Sequence, residues 1–450
     1  MATPDAFLPP GFDTPQQYIE ALISFIDQYR WLYEVHVVDI FPYQQWELLD
    51  PSWREALLAD SDNDAWFETI IALPSFDRKV NPEWPESLKE FIHTTQSIAL
   101  PRFTSTKPTN DTKCDKNLLF GMTNKKIHEV ELMSSLIHRV AKERGINHAL
   151  DMGSGQGYLS RALAFQHDME VLAVDKSEVQ TRGAEKFDRR TMRAERTTET
   201  KLQHVTEMIT PENISDVLSR WGRCDEDKPW LICGLHTCGD LSPMIMRLFE
   251  ESKQVTCLVN VGCCYHYLSE GFPMSRLLRE REYELGTTAR VLACHSPWQW
   301  KGQVGASKKS FEQHFFRALL QQIMVDKGLA SRSDPPALRK RITKKCDFAT
   351  YVKIALKTLD MDPDAITQEE IDSYYNDYKY KRAADKQIIA LWTIRSLLAP
   401  VLESLILMDR WLYLKQAVGE DRNDEHSGVW MWPLFDPTES PRNVVFVASK

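Results

Sequence analysis

The segment His148-Ala-Leu-Asp-Met-Gly-Ser-Gly-Gln-Gly-Tyr-Leu-Ser160 constrains the fold of this 450-residue chain more than any other. It opens as a short apolar strand, turns on alternating glycines and resumes as a helix near Tyr158. Gly153, Gly155 and Gly157 remove the Cβ atoms that would hold a ligand off the backbone of the turn. Asp175 stands twenty-four residues after Asp151 and ends the next apolar run, where a carboxylate can accept both hydroxyls of a ribose. A strand, a glycine turn, a helix and a second strand closing on an acid predict an α/β fold of Rossmann-like type, with a crevice at the carboxyl ends of its strands.

The rest of the chain is organised around that unit. Thr14-Pro15-Gln16-Gln17 reads as an N-cap, a proline at the first helical position and a capping-box Gln, followed by apolar residues at helical spacing from Tyr18 to Tyr29. The expected segments are a helical amino-terminal region over 1–100, a polar linker over 101–116 and an α/β core over 117–306. A helical basic insertion over 307–385 follows, and then a carboxyl-terminal helix and final strands over 386–450 that complete the core. Candidate strands are Ala149–Met152, Val171–Val174, Trp230–Gly234, Thr256–Val261, Arg290–Ala293 and Asn443–Ser449.

A net charge of -9 gives no global attraction to nucleic acid or anionic lipid, so any such affinity has to come from local basic runs. Two are present, Arg339 to Lys345 and Lys379 to Lys386. The amino terminus lacks the features of a secretory or transit peptide, and Arg395, Pro400 and Glu403 interrupt the longest apolar stretch, Ile388 to Met408. No membrane span is predicted, and a cytoplasmic or nuclear location is expected. Nine cysteines with no CxxC pair argue for reduced thiols over a disulfide framework.

The glycine pattern is GxGxG behind an acid, distinct from the GxGxxG of dinucleotide enzymes, and no GxxxxGK phosphate loop occurs. A cofactor without phosphates fits better. S-adenosylmethionine carries a ribose, an adenine and a charged amino-acid tail, for which Asp175, Asp151 and the turn Gly153, Ser154, Gly155, Gly157 are suitable partners. The alternative is a turn that binds nothing. Upstream, Gly121-Met-Thr-Asn-Lys-Lys-Ile-His-Glu129 places Lys125, Lys126, His128 and Glu129 on a helix, with Lys126 and His128 expected to reach the cofactor's carboxylate; a solvated helix face is the competing reading.

Two further segments follow expected strands: Gly234-Leu-His-Thr-Cys-Gly-Asp-Leu-Ser242 and Val261-Gly-Cys-Cys-Tyr-His266. As neighbours in the sheet they would bring His236, Cys238 and Asp240 toward Cys263, Cys264, Tyr265 and His266, the expected catalytic set. Zinc is one reading, although the spacings match no standard ligand pattern, and no metal is expected. A nucleophilic cysteine is a second, but the usual prolyl-cysteine and threonyl-cysteine contexts are absent. A third is an uncharged pocket in which His236 or His266 orients or deprotonates an acceptor, and a fourth is a set of satisfied core residues.

The motifs GMTNKKIHEV, DMGSGQGYLSRAL, GLHTCGDLS, VGCCYHYLS, LAPVLESLILMDRWLYLK and PLFDPTESPRNVVFVASK together resemble the methyltransferase-like protein 25 family, some of whose members carry a ribosomal RNA adenine dimethylase label. The resemblance runs from about Asn117 to Lys450, with a weaker echo in the Trp-rich amino-terminal helices. It implies a class I, seven-stranded methyltransferase core with a helical amino-terminal region and a helical insertion. The His-x-Cys-Gly and Cys-Cys-x-His elements, at His236, Cys238, Gly239, Cys263, Cys264 and His266, are also similar to a group of transfer RNA 2'-O-methyltransferases. Two departures stand out. The Cys/His segment that precedes the catalytic domain in that group is absent. The place where exocyclic-amine methyltransferases carry Asn/Asp-Pro-Pro-aromatic reads HTCGD here.

The expected activity is S-adenosylmethionine-dependent methyl transfer to a macromolecule, with RNA first, a ribosomal or translation-related protein second and no DNA. A non-catalytic scaffold that keeps the cofactor fold is the rival from another class. A further subunit is possible in any of these.

Overall fold

A computed structural model describes residues 8–63, 65–103, 113–221, 228–338, 342, 346–419 and 427–450. The basic run Arg339 to Lys345 lies outside the described residues except for Ile342, as does most of the expected linker. Chain contacts divide the protein into two compact units.

The first unit comprises Met1–Ile23, Ala99–Cys294 and Leu402–Lys450. It holds one seven-stranded sheet: β1 (His148–Met152), β2 (Glu170–Asp175), β3 (Leu202–Thr206), β4 (Trp230–Thr237), β5 (Val255–Gly262), β6 (Gly428–Pro433) and β7 (Val444–Ser449). The order is β3-β2-β1-β4-β5-β7-β6. The first five strands pair in parallel, and β7 runs antiparallel to both β5 and β6. This is the class I methyltransferase arrangement that the motifs implied.

Strands covered on both faces are buried at nearly every position, as the parallel β1 and β5 and the antiparallel β7 are. Ala149, Val171, Leu231, Val259 and Val447 join one core cluster with Met133, Ile137 and Val140 from the helix Asn124–Glu143. Strand order reverses between β1 and β4, and a crevice for a ligand opens at such a reversal, beyond the carboxyl ends of the strands.

Four expected strands correspond to β1, β2, β4 and β5, and the last to β7. Arg290–Ala293 is not a strand but the end of the helix Thr287–Ala293. Its apolar run is too short to fix a period, and burial of Ala289, Leu292 and Ala293 follows helical spacing. Two strands were not anticipated. In β3 only Leu202 and Val205 are buried, as expected of a sheet edge, so no apolar run marks it. At the other edge β6 ends on Pro433, a residue that edge strands tolerate and central strands do not.

A buried charge network braces the carboxyl-terminal segment against the core of this unit. Glu403 accepts from Arg102 at 2.5 Å, from the Tyr265 phenol at 2.8 Å and from Arg442. Arg442 also donates to the carbonyl of Ala293 at 3.1 Å. Six residues on from Glu403, Asp409 accepts from the backbone N–H groups of Met274 and Ser275, each at 2.8 Å, and from the Ser275 hydroxyl at 2.7 Å. These acids hold the chain that follows β5.

The second unit, Ser24–Ile98 and His295–Val401, is helical throughout its regular structure among the described residues. Phe316 packs against Phe348 and Tyr351 in its interior, and the helix Gln368–Asn376 opens on a Thr367/Glu370 capping box. Among the described residues one helical stretch, Ala384–Val418, whose first part belongs to this unit and whose remainder belongs to the first, is long and apolar enough to cross a bilayer by length and composition, and 83% of its most apolar window is buried inside the protein.

Candidate cofactor and thiol site

The turn after β1 is pinned from two directions. Gly153 and Ser154 donate backbone N–H groups to the carbonyl of Val174 at 2.8 and 3.1 Å, tying the turn to β2. Asp175, at the end of β2, accepts from the Gly155 N–H at 3.0 Å with one oxygen and from the Ser177 N–H at 2.8 Å with the other. Each carboxylate oxygen keeps acceptor capacity, so both hydroxyls of a ribose can still be taken. Gly155 has a φ of +55°, and a Cβ added there would meet nothing within 4 Å. That open space beside Asp175 is the cradle that a cofactor without phosphates requires, and the residues present fit S-adenosylmethionine. At Gly153 the constraint is contact, since a Cβ would come within 2.7 Å of Leu241.

Asp151 occupies a different place from Asp175. It is 2% exposed and accepts from the Ser160 hydroxyl at 2.5 Å. Burial pushes its carboxyl up to about 6, against the opposing effects of Ser160 and His204. Its observed contacts brace the base of the turn from inside. Below it, Arg161 pairs with Asp188 at 2.7 Å, and Asp188 meets His204 on β3 at 2.6 Å.

On the helix Asn124–Glu143 the central acid is Glu129, fully buried. It accepts from His236 Nε2 at 2.8 Å and the Ser440 hydroxyl at 2.7 Å, with Lys126 at 3.2 Å and Lys125 at 3.8 Å. Burial opposes the charge, but His236, Lys126 and Ser440 outweigh it and hold the carboxyl down at about 2. His128 turns elsewhere and accepts the Asp436 N–H at 3.1 Å. Lys126 thus faces an acid of its own helix, and His128 the loop after β6.

His236 reaches Glu129 because β4 is irregular there. The β4–β5 register shifts between Leu235 and Thr237, and His236 has a φ of +63°. A bulge re-aims a side chain, and a non-glycine residue in the left-handed region persists only where its surroundings enforce it. No pattern in the sequence announces this bulge.

The two loops after β4 and β5 come together as the sheet order requires. Cys238 Sγ lies 3.2 Å from Cys263 Sγ and 3.3 Å from Cys264 Sγ, and the latter two are 3.5 Å apart. The Cys238 thiol is shifted down, first by its contact with Cys263 and then by Cys264, His236 and His266, so it is the most readily ionised. Cys263 is shifted up first by its contact with Cys238 and then by burial, and Cys264 first by burial and then by Cys238. His266 Nδ1 lies 3.4 Å from Cys294 Sγ, a contact outside the expected set.

Asp240 and Tyr265 do not join the thiols. The Asp240 carboxylate accepts from the Ser269 hydroxyl, the Ser269 N–H at 3.1 Å and the Gly271 N–H at 2.9 Å, which makes it a brace for that loop. Tyr265 is 1% exposed and committed to Glu403. Glu403, Asp409, Cys294 and Ser440 were not anticipated as supports. A charged residue inside an apolar run, such as Glu403, is the one such signal that the sequence carries.

Residues 125–271 match a family described as a methyltransferase domain, a range that contains the glycine turn, Asp175 and both thiol loops. Over 98% of its length the chain is similar to human probable methyltransferase-like protein 25, at 25% identity and 98% coverage of that protein. The mouse protein of the same name is 24% identical over 98% of this chain and 97% of its own. Solved structures that resemble parts of the chain include an S-adenosylmethionine-dependent methyltransferase from Clostridium acetobutylicum, at 18% identity and a TM-score of 0.22, covering 31% of this chain and 53% of that one. Another is coclaurine N-methyltransferase bound to N-methylheliamine and SAH, at 13% identity and a TM-score of 0.23, covering 87% and 95%.

Proposed function

We propose that this protein, an S-adenosylmethionine-dependent methyltransferase with the class I fold, methylates RNA. The observation that carries the choice of acceptor lies in the second unit. Tyr374, Tyr375, Tyr378 and Tyr380 are interleaved there with Lys379, Lys381 and Arg382. Tyr380 is 70% exposed, the Arg382 guanidinium lies 4.5 Å from the Tyr378 ring, and Lys379 Nζ lies 5.1 Å from the Tyr375 ring. Of these four tyrosines only Tyr380 is exposed, whereas Tyr375 stacks on Phe348 and Tyr378 packs against Phe41; an exposed aromatic face can stack on an unpaired base, and neighbouring cations attract phosphates. Asp377 tempers this charge by pairing with Arg382 at 2.7 Å, so the segment is a modest rather than a dominant anchor.

S-adenosylmethionine supplies an electrophilic methyl group when bound. The chain's own residues divide the remaining work. Asp175 and the backbone at Gly155 receive the ribose, and the Glu129–His236 pair and the Cys238 loop stand ready to orient the acceptor. An acceptor that is already nucleophilic needs alignment more than a strong base. A cytoplasmic or nuclear site of action suits an RNA acceptor.

The test combines calorimetric binding of S-adenosylmethionine with tritiated methyl transfer to fractionated cellular RNA and protein. Label in an RNA fraction, reduced about tenfold in Lys381→Glu/Arg382→Glu by loss of phosphate contacts, is the expected result. Label confined to a protein band would replace RNA with a protein acceptor, and cofactor binding without transfer to either would favour a scaffold.

A further inference from the structure

Three thiols from two separate loops meet at one point, and the backbone that presents them is braced. Cys238 follows β4, whereas Cys263 and Cys264 follow β5. The Gly239 N–H donates to the Cys264 carbonyl at 3.1 Å, and a Cβ at Gly239 would come within 2.7 Å of Tyr267, so the two loops are closely fitted. Asp240 fixes the chain at Ser269 and Gly271, and Tyr265 anchors the second loop to Glu403. Each of the three sulfurs lies within 3.5 Å of the other two.

Thiols are weak donors and weak acceptors, so three of them gain little from one another in such a group. Thiolates are the preferred soft ligands of zinc. Tetrahedral zinc with bonds of about 2.3 Å sets its sulfur ligands about 3.8 Å apart. An opening of a few tenths of an ångström would therefore admit the ion.

We propose that Cys238, Cys263 and Cys264 bind one zinc ion through three thiolates and leave its fourth position open. Zinc displaces the thiol protons to solvent as the three bonds form. Cys238 is exposed and Cys264 half-buried, so the ion would be reachable from outside. Three protein ligands and one open position suit a site that receives water or a nucleophile, unlike the closed four-ligand pattern of a structural site. The ligands come from the ends of adjacent strands, which explains why no CxxC spacing accompanies them.

The experiment measures zinc in the untagged full-length protein, purified under reducing conditions, by plasma mass spectrometry. About one zinc per chain is expected, falling to below about a tenth in Cys263→Ser/Cys264→Ser and retained in Cys346→Ser, which lies outside the cluster. Metal-free protein titrated with cobalt should develop the near-ultraviolet thiolate-to-cobalt absorption of a tetrahedral site. Circular dichroism establishes that each variant is folded. If the double variant is not, Cys238→Ser carries the test and should lower zinc affinity at least about tenfold. Zinc retained in folded double variant, or wild-type protein that holds no zinc and gives no cobalt–thiolate band, would overturn the proposal.

Discussion

Asp175→Ala and Asp175→Asn should weaken S-adenosylmethionine binding by different amounts, because the carboxylate offers one oxygen to each ribose hydroxyl. A hydrogen bond to a charged group contributes about 1.5–3 kcal/mol, so Ala, which removes both, should cost about 3–6 kcal/mol, or roughly a hundredfold to ten-thousandfold in Kd. Asn keeps one acceptor oxygen and should lose roughly ten- to a hundredfold. Asp175 also holds the turn by accepting from the Gly155 and Ser177 N–H groups at 3.0 and 2.8 Å. Those donors lie where water can replace the carboxylate, so the stability cost should stay near about 1 kcal/mol. Calorimetry with S-adenosylmethionine and with methylthioadenosine separates the effects. The two ligands share the ribose, and both should weaken by the same factor while urea melts shift little. A folded Asp175→Ala protein whose Kd for either ligand stays within about threefold of wild type would refute the assigned site.

Gly155→Val should abolish cofactor binding, since the branched side chain fills open space beside Asp175, and the left-handed φ of +55° adds strain of about 1–3 kcal/mol visible in urea melts. Unchanged affinity in the folded variant would show that the ligand lies elsewhere. Glu129 has its carboxyl lowered from 4.5 to about 2, so its charge contributes stability that is fully present above about pH 4.5 and lost as pH falls through about 2. Glu129→Gln should therefore lose roughly 3 kcal/mol in urea unfolding at pH 7; a loss below about 1 kcal/mol would contradict the charge cluster. Glu403→Ala strands Arg102 and Arg442 in the interior and should cost about 3–5 kcal/mol in chemical denaturation, whereas a cost below about 1 kcal/mol would mean that the arginines find other partners.

The architecture was legible where the chain uses a pattern with a single physical meaning. Alternating glycines behind an apolar run permit only a tight strand-to-helix turn, and Asp175 at the end of the next run gives the crevice its acid. The edge strands were not legible: β3 is partly exposed and lacks the apolar run that marks a central strand, whereas the apolar run of β6 is short and ends on a proline, which argues against a strand. Arg290–Ala293 misled for the complementary reason: four residues cannot distinguish a period of two from one of 3.6. Within the site, the meeting of Cys238 with Cys263 and Cys264 follows from strand adjacency. The bulge that turns His236 onto Glu129 depends on a register shift that leaves no trace in residue types. The supports Glu403 and Asp409 reach Tyr265 and Ser275, each more than a hundred positions away and beyond the reach of any local pattern.

Strand β7 lies inside the sheet between β5 and β6, although a long stretch of chain separates it from its neighbour β5. From Gly262 to Val444 the ribosome adds 182 residues (444 minus 262), which takes about 10–40 s at 5–20 residues per second. Throughout that interval the edge of β5, Val-Thr-Cys-Leu-Val-Asn-Val-Gly, has no hydrogen-bonding neighbour of its own on that side. An apolar, uncharged edge of this kind is a template for pairing with other chains. Substitutions in β7 should therefore lower the yield of folded protein during synthesis more than they lower the stability of the finished molecule.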